Sequence, residues 1–220
     1  MQEQLLPIHI LPYDPFEDET IVAENVSYKD FLRQFEGLHA EWYQGKVIRV
    51  DDKGVKHQQL FTTLSFILKL YLSFRPVGTL IQWACSMRTN GSLPCREPDM
   101  MVVFNEHSDI IKGTYLDGVA DIAIEIVSPR SLKRDYGNKF EEYEMAGVRE
   151  YWKLDPLRRI CDFYRIGSKQ VYNRIPADHK GRLTSTVLPD FALDPALFWR
   201  EDEPMGQELV ELVQKMLKEK

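Results

Sequence analysis

The sequence predicts a mixed α/β domain, one sheet flanked by helices. Three observations predict it. From His57 to Ser73, Leu60, Leu64, Ile67, Leu68 and Tyr71 recur at helical spacing. Three short runs, Thr79–Trp83, Met100–Phe104 and Ile122–Val127, are nearly all apolar and contain β-branched residues. Strand-like and helical segments then alternate to the C-terminus.

Residues 1–25 are rich in proline and acids and show no sustained period, so they are expected to form an extended arm. Residues 28–36 predict a short helix with Ser27 as N-cap. Residues 41–50 predict two short strands turning near Gln44-Gly45. In the long helix, Phe61 and Phe66 widen the apolar stripe, and Pro76 and Gly78 end it. The three apolar runs are expected as central strands, because near-continuous apolarity suits burial on both faces. A helix follows over 131–146, with Gly147 as its stop. Strands are expected at Glu150–Leu154, Ile160–Ile166 and Gln170–Arg174, punctuated by Asp155-Pro156 and Gly167-Ser168. One more is expected at Leu183–Val187. Gln207 to Lys218 closes the chain as an amphipathic helix through Leu209, Leu212, Val213 and Met216. No repeat or Gly/Ser-rich linker divides residues 26–220, which predicts one domain there.

At 44% hydrophobic the chain can bury a substantial core. It has no apolar segment near the 18 or so residues that a membrane span needs, and no basic segment leading into an apolar one at its start. Cys85, Cys95 and Cys161 are odd in number and form no CxxC pair, which suits a reduced, cytoplasmic compartment. A net charge of −6 argues against a protein that coats nucleic acid non-specifically. The histidines form no HxH or HExxH pattern, and no GxxxxGK[ST] loop is present.

The chemistry concentrates between Arg96 and Lys139. Pro98 cannot donate to a ladder, so it marks the entrance to Met100–Phe104 and places Asp99 at the strand's edge, where a carboxylate can stay solvated. Glu125 lies inside an apolar strand, a costly position unless the acid is paired or metal-bound. Its structural alternative is a buried salt bridge to Arg134 or Lys139. Lys139 lies one turn from both Tyr136 and Tyr143, so it faces the sheet or its rim; its alternative is an exposed pair with Asp135. Two carboxylates and a lysine gathered at a sheet edge can hold a hard divalent cation and activate water. Arg130, Lys133 and Arg134 crowd the adjoining segment, where a phosphate backbone would pass, although taken alone such a run is more often a solvated helix face. His57, at the head of the long helix, is a cap or a phosphate contact. Ser128 caps the next helix or backs the site. Tyr143 and Tyr151-Trp152 are expected in the core.

Several segments in this order carry a resemblance: E-W-Y-Q-G (Glu41 to Gly45), His57, E-P-D (Glu97 to Asp99), E-I-V-S-P (Glu125 to Pro129), D-Y-G-N-K-F-E-E-Y (Asp135 to Tyr143), A-G-V-R-E-Y-W (Ala146 to Trp152) and L-P-D-F-A-L-D-P (Leu188 to Pro195). Together they resemble the bacterial Uma-two-type restriction endonuclease family, within the PD-(D/E)XK nuclease superfamily, from about Tyr28 to Glu201. The superfamily places its last acid and a lysine two residues apart on one strand. That slot holds Val127 here, and Lys139 on the next helix is the matching position. The resemblance implies a restriction-endonuclease-like fold and Mg²⁺- or Mn²⁺-dependent cleavage of DNA by Asp99, Glu125 and Lys139. It also implies Glu41 as an outer metal ligand. Two DNA strands need two sites, which favours a homodimer. The competing expectation is a non-catalytic DNA-binding or assembly module on the same fold.

Overall fold

The computed structural model describes residues 20–35, 38–49, 54–83, 85–89, 93–129, 131 and 135–218. In chain order its elements begin with β1 (Thr20–Ala23), α1 (Tyr28–Gln34), β2 (Ala40–Tyr43), β3 (Lys46–Arg49) and α2 (Val55–Phe74). Next come β4 (Gly78–Gln82), β5 (Ser86–Arg88), β6 (Met100–Phe104), β7 (Tyr115–Asp117) and β8 (Ile122–Ile126). The chain continues with α3 (Asn138–Ala146), β9 (Glu150–Asp155), β10 (Ile160–Ile166) and β11 (Tyr172–Arg174). It closes with β12 (Leu183–Thr184), β13 (Ala192–Leu193) and α4 (Gln207–Lys218).

Six strands form the main sheet, in the order β11-β10-β9-β8-β6-β4. Only the β8–β9 pair is parallel, joined through α3; the others are antiparallel. The pleat divides the apolar runs between two faces. Met100, Val102, Ile122, Ile124, Ile126, Trp152 and Leu154 pack on one side with α2 and α4. Met101, Val103, Ala123 and Tyr151 pack on the other with Tyr143 of α3. A helix layer on each face explains why these strands lack polar alternation.

Two expected central strands lie inside the sheet, but the first does not. β4 is an edge strand, apolar because Leu80 packs into one face's core and Ile81 into the other's. It stops at Gln82 because Trp83 takes a left-handed φ of 38°. In α2 the stripe through Leu60, Leu64, Ile67, Leu68 and Tyr71 is buried, and Phe61 joins it. Phe66 does not; it is 42% exposed on the solvent side.

Ser27 caps α1, accepting from the Asp30 N–H at 3.1 Å. Gly147 ends α3 with φ 82°, the left-handed stop its position predicted. The helix expected over 131–146 is not continuous. Residues 135–136 are helical, then Gly137 leaves helical geometry (φ −116°, ψ −95°) and α3 restarts at Asn138; residues 132–134 lie outside the described residues. The strand expected at Leu183–Val187 is only Leu183–Thr184, paired with β13. β5 and β7, a parallel pair too short to leave a period-2 signature, were not legible in the sequence. Of the expected N-terminal arm, Thr20–Ala23 pairs antiparallel with β3 as the outer strand of a three-stranded sheet, and residues 1–19 lie outside the described residues.

That small sheet matters for the site. Trp42 of β2 exchanges backbone hydrogen bonds with Cys95, at 3.0 and 3.2 Å. The hairpin is thereby docked onto the segment leading into β6, which carries Glu41 beside Arg96 and Glu97.

Candidate active site

β6 and β8 are antiparallel with Met100 opposite Ile124, so Asp99, one residue before β6, lies across from Glu125. Directly opposed positions on neighbouring strands share a face, with Cβ atoms about 5 Å apart. Asp99 and Glu125 thus meet on the α3 side of the sheet.

Asp99 is not solvated at the edge as its position suggested; it is 5% exposed. The end of β8 and the first turn of α2 cover it. Its Oδ2 accepts the Ile126 N–H at 2.7 Å and lies 3.1 Å from His57 Nε2. An ionised Asp99 would take this contact as a hydrogen bond from the His57 Nε2–H. The His57 Nδ1 is buried and has no partner among the described residues. His57 is therefore not the helix cap; Gly54 holds the cap position of α2. Its ring braces Asp99.

Glu125 is fully buried. Its Oε1 accepts from Lys139 Nζ at 2.8 Å and from the Tyr143 hydroxyl at 2.7 Å. Lys139 is itself 3% exposed and lies 3.1 Å from Glu41 Oε1 and 3.8 Å from Asp135 Oδ1. The exposed Asp135–Lys139 pair is thus replaced by a buried cluster in which Asp135 is the most distant partner. Of the two salt-bridge partners expected for Glu125, Lys139 is in contact, and Arg134 lies outside the described residues. Asp135 is held by Ser131 Oγ at 2.5 Å, and Ser131 is braced in turn by Ser128, which accepts from its N–H at 3.1 Å.

Glu41 is buried on β2, not exposed. Besides Lys139 it binds Arg96 Nη1 at 2.9 Å and accepts the Glu97 N–H at 3.2 Å. Arg96, 1% exposed, also grips Glu142 of α3 through Nε and Nη2, at 2.7 and 2.8 Å. That fork-to-fork geometry is available only to a guanidinium. Burial opposes the Arg96 charge, but Glu41 and Glu142 outweigh it and hold its pKa above the ordinary arginine value.

Among the described residues, six buried carboxylates (Glu41, Glu97, Asp99, Glu125, Asp135 and Glu142) thus gather around the cations of Arg96 and Lys139, with His57 alongside. The imbalance shows in their chemistry. Burial, then the neighbouring Glu41 charge, pushes Glu97 up to about 7. Burial also raises Glu125, against the opposing pull of Lys139. The Tyr143 hydroxyl is driven well above its ordinary value by burial and then by Glu125, so it stays a donor.

A carboxyl group whose folded pKa is raised stabilises the fold below its unfolded value and loses that contribution as pH rises through the folded value. For Glu97 the window runs from 4.5 to about 7, a contribution on the order of 3 kcal/mol. The metal-free protein is therefore expected to melt at a lower temperature at pH 8 than at pH 5. A melting curve across that range checks it; a flat or rising profile would contradict the burial of these two acids.

Arg96, Glu97, Glu142 and Tyr143 were not singled out as site residues by sequence reasoning. One signal was available: Lys139, Glu142 and Tyr143 stand at i, i+3 and i+4 and share the buried face of α3. Arg130, Lys133 and Arg134 lie outside the described residues. Among the described residues, no group of three or more His, Cys, Asp or Glu side chains is arranged as a ready metal cage. No helix among them is long and apolar enough to cross a membrane.

The sequence model of the Uma2 family, described as "Putative restriction endonuclease", matches residues 28–196. Among solved structures, a putative nuclease belonging to DUF820 from Anabaena variabilis ATCC 29413 superposes with a TM-score of 0.63 at 16% identity, over 86% of this chain and 99% of that one. The likeness identifies the fold as restriction-endonuclease-like. No curated protein matches the chain.

Proposed function

Since this chain belongs to the Uma2 family of putative restriction endonucleases, we propose that it is a DNA endonuclease dependent on Mg²⁺ or Mn²⁺. One observation carries the reading: Lys139, supplied by a helix, reaches Glu125 at 2.8 Å across from Asp99, so two acids and a lysine converge although the strand position after Glu125-Ile126 is Val127.

The donor set fits a hard divalent cation. Carboxylate oxygens suit Mg²⁺ and Mn²⁺, and Mg²⁺ is commonly held by one or two carboxylates with waters and substrate phosphate completing the shell, so a full protein cage is not needed. The excess of buried carboxylate among the described residues is a second point of fit, because a bound cation relieves it. Asp99 and Glu125 would hold the ion. Glu41 is engaged by Arg96 and Lys139, so it is better suited to orienting the lysine than to direct ligation. A bound divalent ion supplies positive charge at the scissile phosphate and lowers the pKa of water.

The chain's own groups do the rest. The Ile126 N–H and His57 fix one oxygen of Asp99. Tyr143 and Lys139 fix one oxygen of Glu125. The Lys139 ammonium would donate to a phosphoryl oxygen as negative charge builds in the transition state. DNA is the substrate in this reading, and a homodimer would place one such site on each strand.

Nicking of supercoiled plasmid tests it. Cleavage is expected with Mn²⁺ or Mg²⁺ and is expected to stop on chelation. Asp99→Ala is expected to lose both cleavage and at least about tenfold in Mn²⁺ affinity by calorimetry. DNA binding without cleavage under every metal condition would favour the non-catalytic module.

A further inference from the structure

A second buried lysine stands one strand beyond Glu125. Lys153 of β9 pairs in register with Glu125, so the two project from the same sheet face, continuing a row that runs Asp99, Glu125, Lys153, Asp162. Lys153 is 3% exposed. Among the described residues its ammonium makes neither a hydrogen bond nor an ion pair. Asp162, Asp135 and Asp155 favour its charge through space, and each is also engaged by other groups. Asp162 is bound by Arg174 at 2.7 and 2.6 Å. Asp155 accepts from the Tyr136 hydroxyl at 2.9 Å and from Arg158 at 3.2 Å. Asp135 is held by Ser131.

What holds the Lys153 charge is the face of Tyr136, whose ring centroid lies 3.5 Å from Nζ, with Tyr164 further off at 5.4 Å. Tyr136 is 36% exposed, so the ammonium rests one ring below the surface, beside the acids of the site. Burial lowers the Lys153 pKa. A methionine or leucine would fill this position without the cost of desolvating a charge. A buried ammonium in contact with no anion among the described residues, adjoining a site that would take a polyanion, points to an anion brought by the substrate.

We propose that Lys153 is a phosphate-contacting residue, its ammonium receiving a backbone phosphate of the DNA strand that lies across Glu125. The proposal rests on the nuclease reading. It adds a substrate contact that neither the order of the motifs nor the two-acid-and-lysine set contains.

Binding of a short duplex oligonucleotide in Ca²⁺, measured by fluorescence anisotropy over a range of salt, tests it with melting curves of the same proteins. Lys153→Met is expected to melt no lower than wild type, to bind roughly tenfold more weakly at low salt, and to lower the salt slope by about one. Lys153→Arg, which keeps a phosphate-binding cation, is expected to restore affinity and slope. Wild-type affinity and slope in Lys153→Met would overturn the proposal, whatever its melting temperature. If that variant does not fold, Lys153→Gln is judged by the same affinity and slope. If wild type binds no DNA, the nuclease reading fails and the proposal with it; if wild type binds and the neutral variants match it, the proposal alone fails.

Discussion

Replacing Lys139 by alanine is expected to abolish nicking of supercoiled plasmid in Mn²⁺, a rate loss of at least about 10²–10³-fold, the usual scale for one transition-state donor. The reason is position. The Lys139 Nζ lies 2.8 Å from Glu125 and 3.1 Å from Glu41, at the point where the two opposed acids of the sheet converge. A donor that acts on developing charge should change turnover far more than DNA affinity. The same burial sets a cost that sequence reasoning does not foresee. Without the ammonium, Glu125, Glu41 and Asp135 face one another in a dry cluster, and breaking a buried pair typically costs about 3–5 kcal/mol. The assay is therefore run well below the variant's melting temperature. Asp135→Asn serves as its control: at 3.8 Å Asp135 is the most distant of the lysine's partners, and that variant should still cut. Activity near wild type in Lys139→Ala would remove the lysine from the chemistry, and the site would have to be rebuilt around another cation.

The largest loss of stability is expected from Arg96→Met. Arg96 is 1% exposed and joins three parts of the fold, with Glu41 on the small sheet, Glu142 on α3 and its own backbone at the entrance to β6. Methionine matches much of its length but takes the guanidinium away from two buried carboxylates, roughly 3–5 kcal/mol by the measured range for broken buried pairs. In a domain of this size that corresponds to a fall in melting temperature on the order of 10 °C. Arg96→Lys should recover little, because an ammonium cannot reach both Glu142 oxygens in parallel and Glu41 as well. The surface pair between Arg33 and Asp30, 57% and 37% exposed, supplies the comparison; Arg33→Ala should change the melting temperature by no more than a degree or two. Equal effects from Arg96→Met and Arg33→Ala would show that the guanidinium does not hold the site together.

Local periodicity determined most of the scaffold. It predicted α2, α4, the interior strands β6 and β8, the hairpin of β2 and β3, the Ser27 cap and the Gly147 stop, because each follows from side-chain spacing or from one residue's backbone preference. Order along the chain also marked Asp99, Glu125 and Lys139. Only the tertiary structure decided their environment. Strand register set Asp99 opposite Glu125 and Glu125 beside Lys153, and register is a property of pairs that no single segment encodes. Docking of β2 on Cys95 made Glu41 a buried partner of Arg96 and Lys139, although its own strand is too short to show which face is covered. Edge or centre was likewise undetermined for β4, since an outer strand covered on both faces is as apolar as an inner one. Burial of Asp99, Lys139 and His57 came from contacts across 14 to 42 residues of sequence, where charge and periodicity carry no signal. Those long-range contacts, more than the residue types, turn scattered acids and cations into one site.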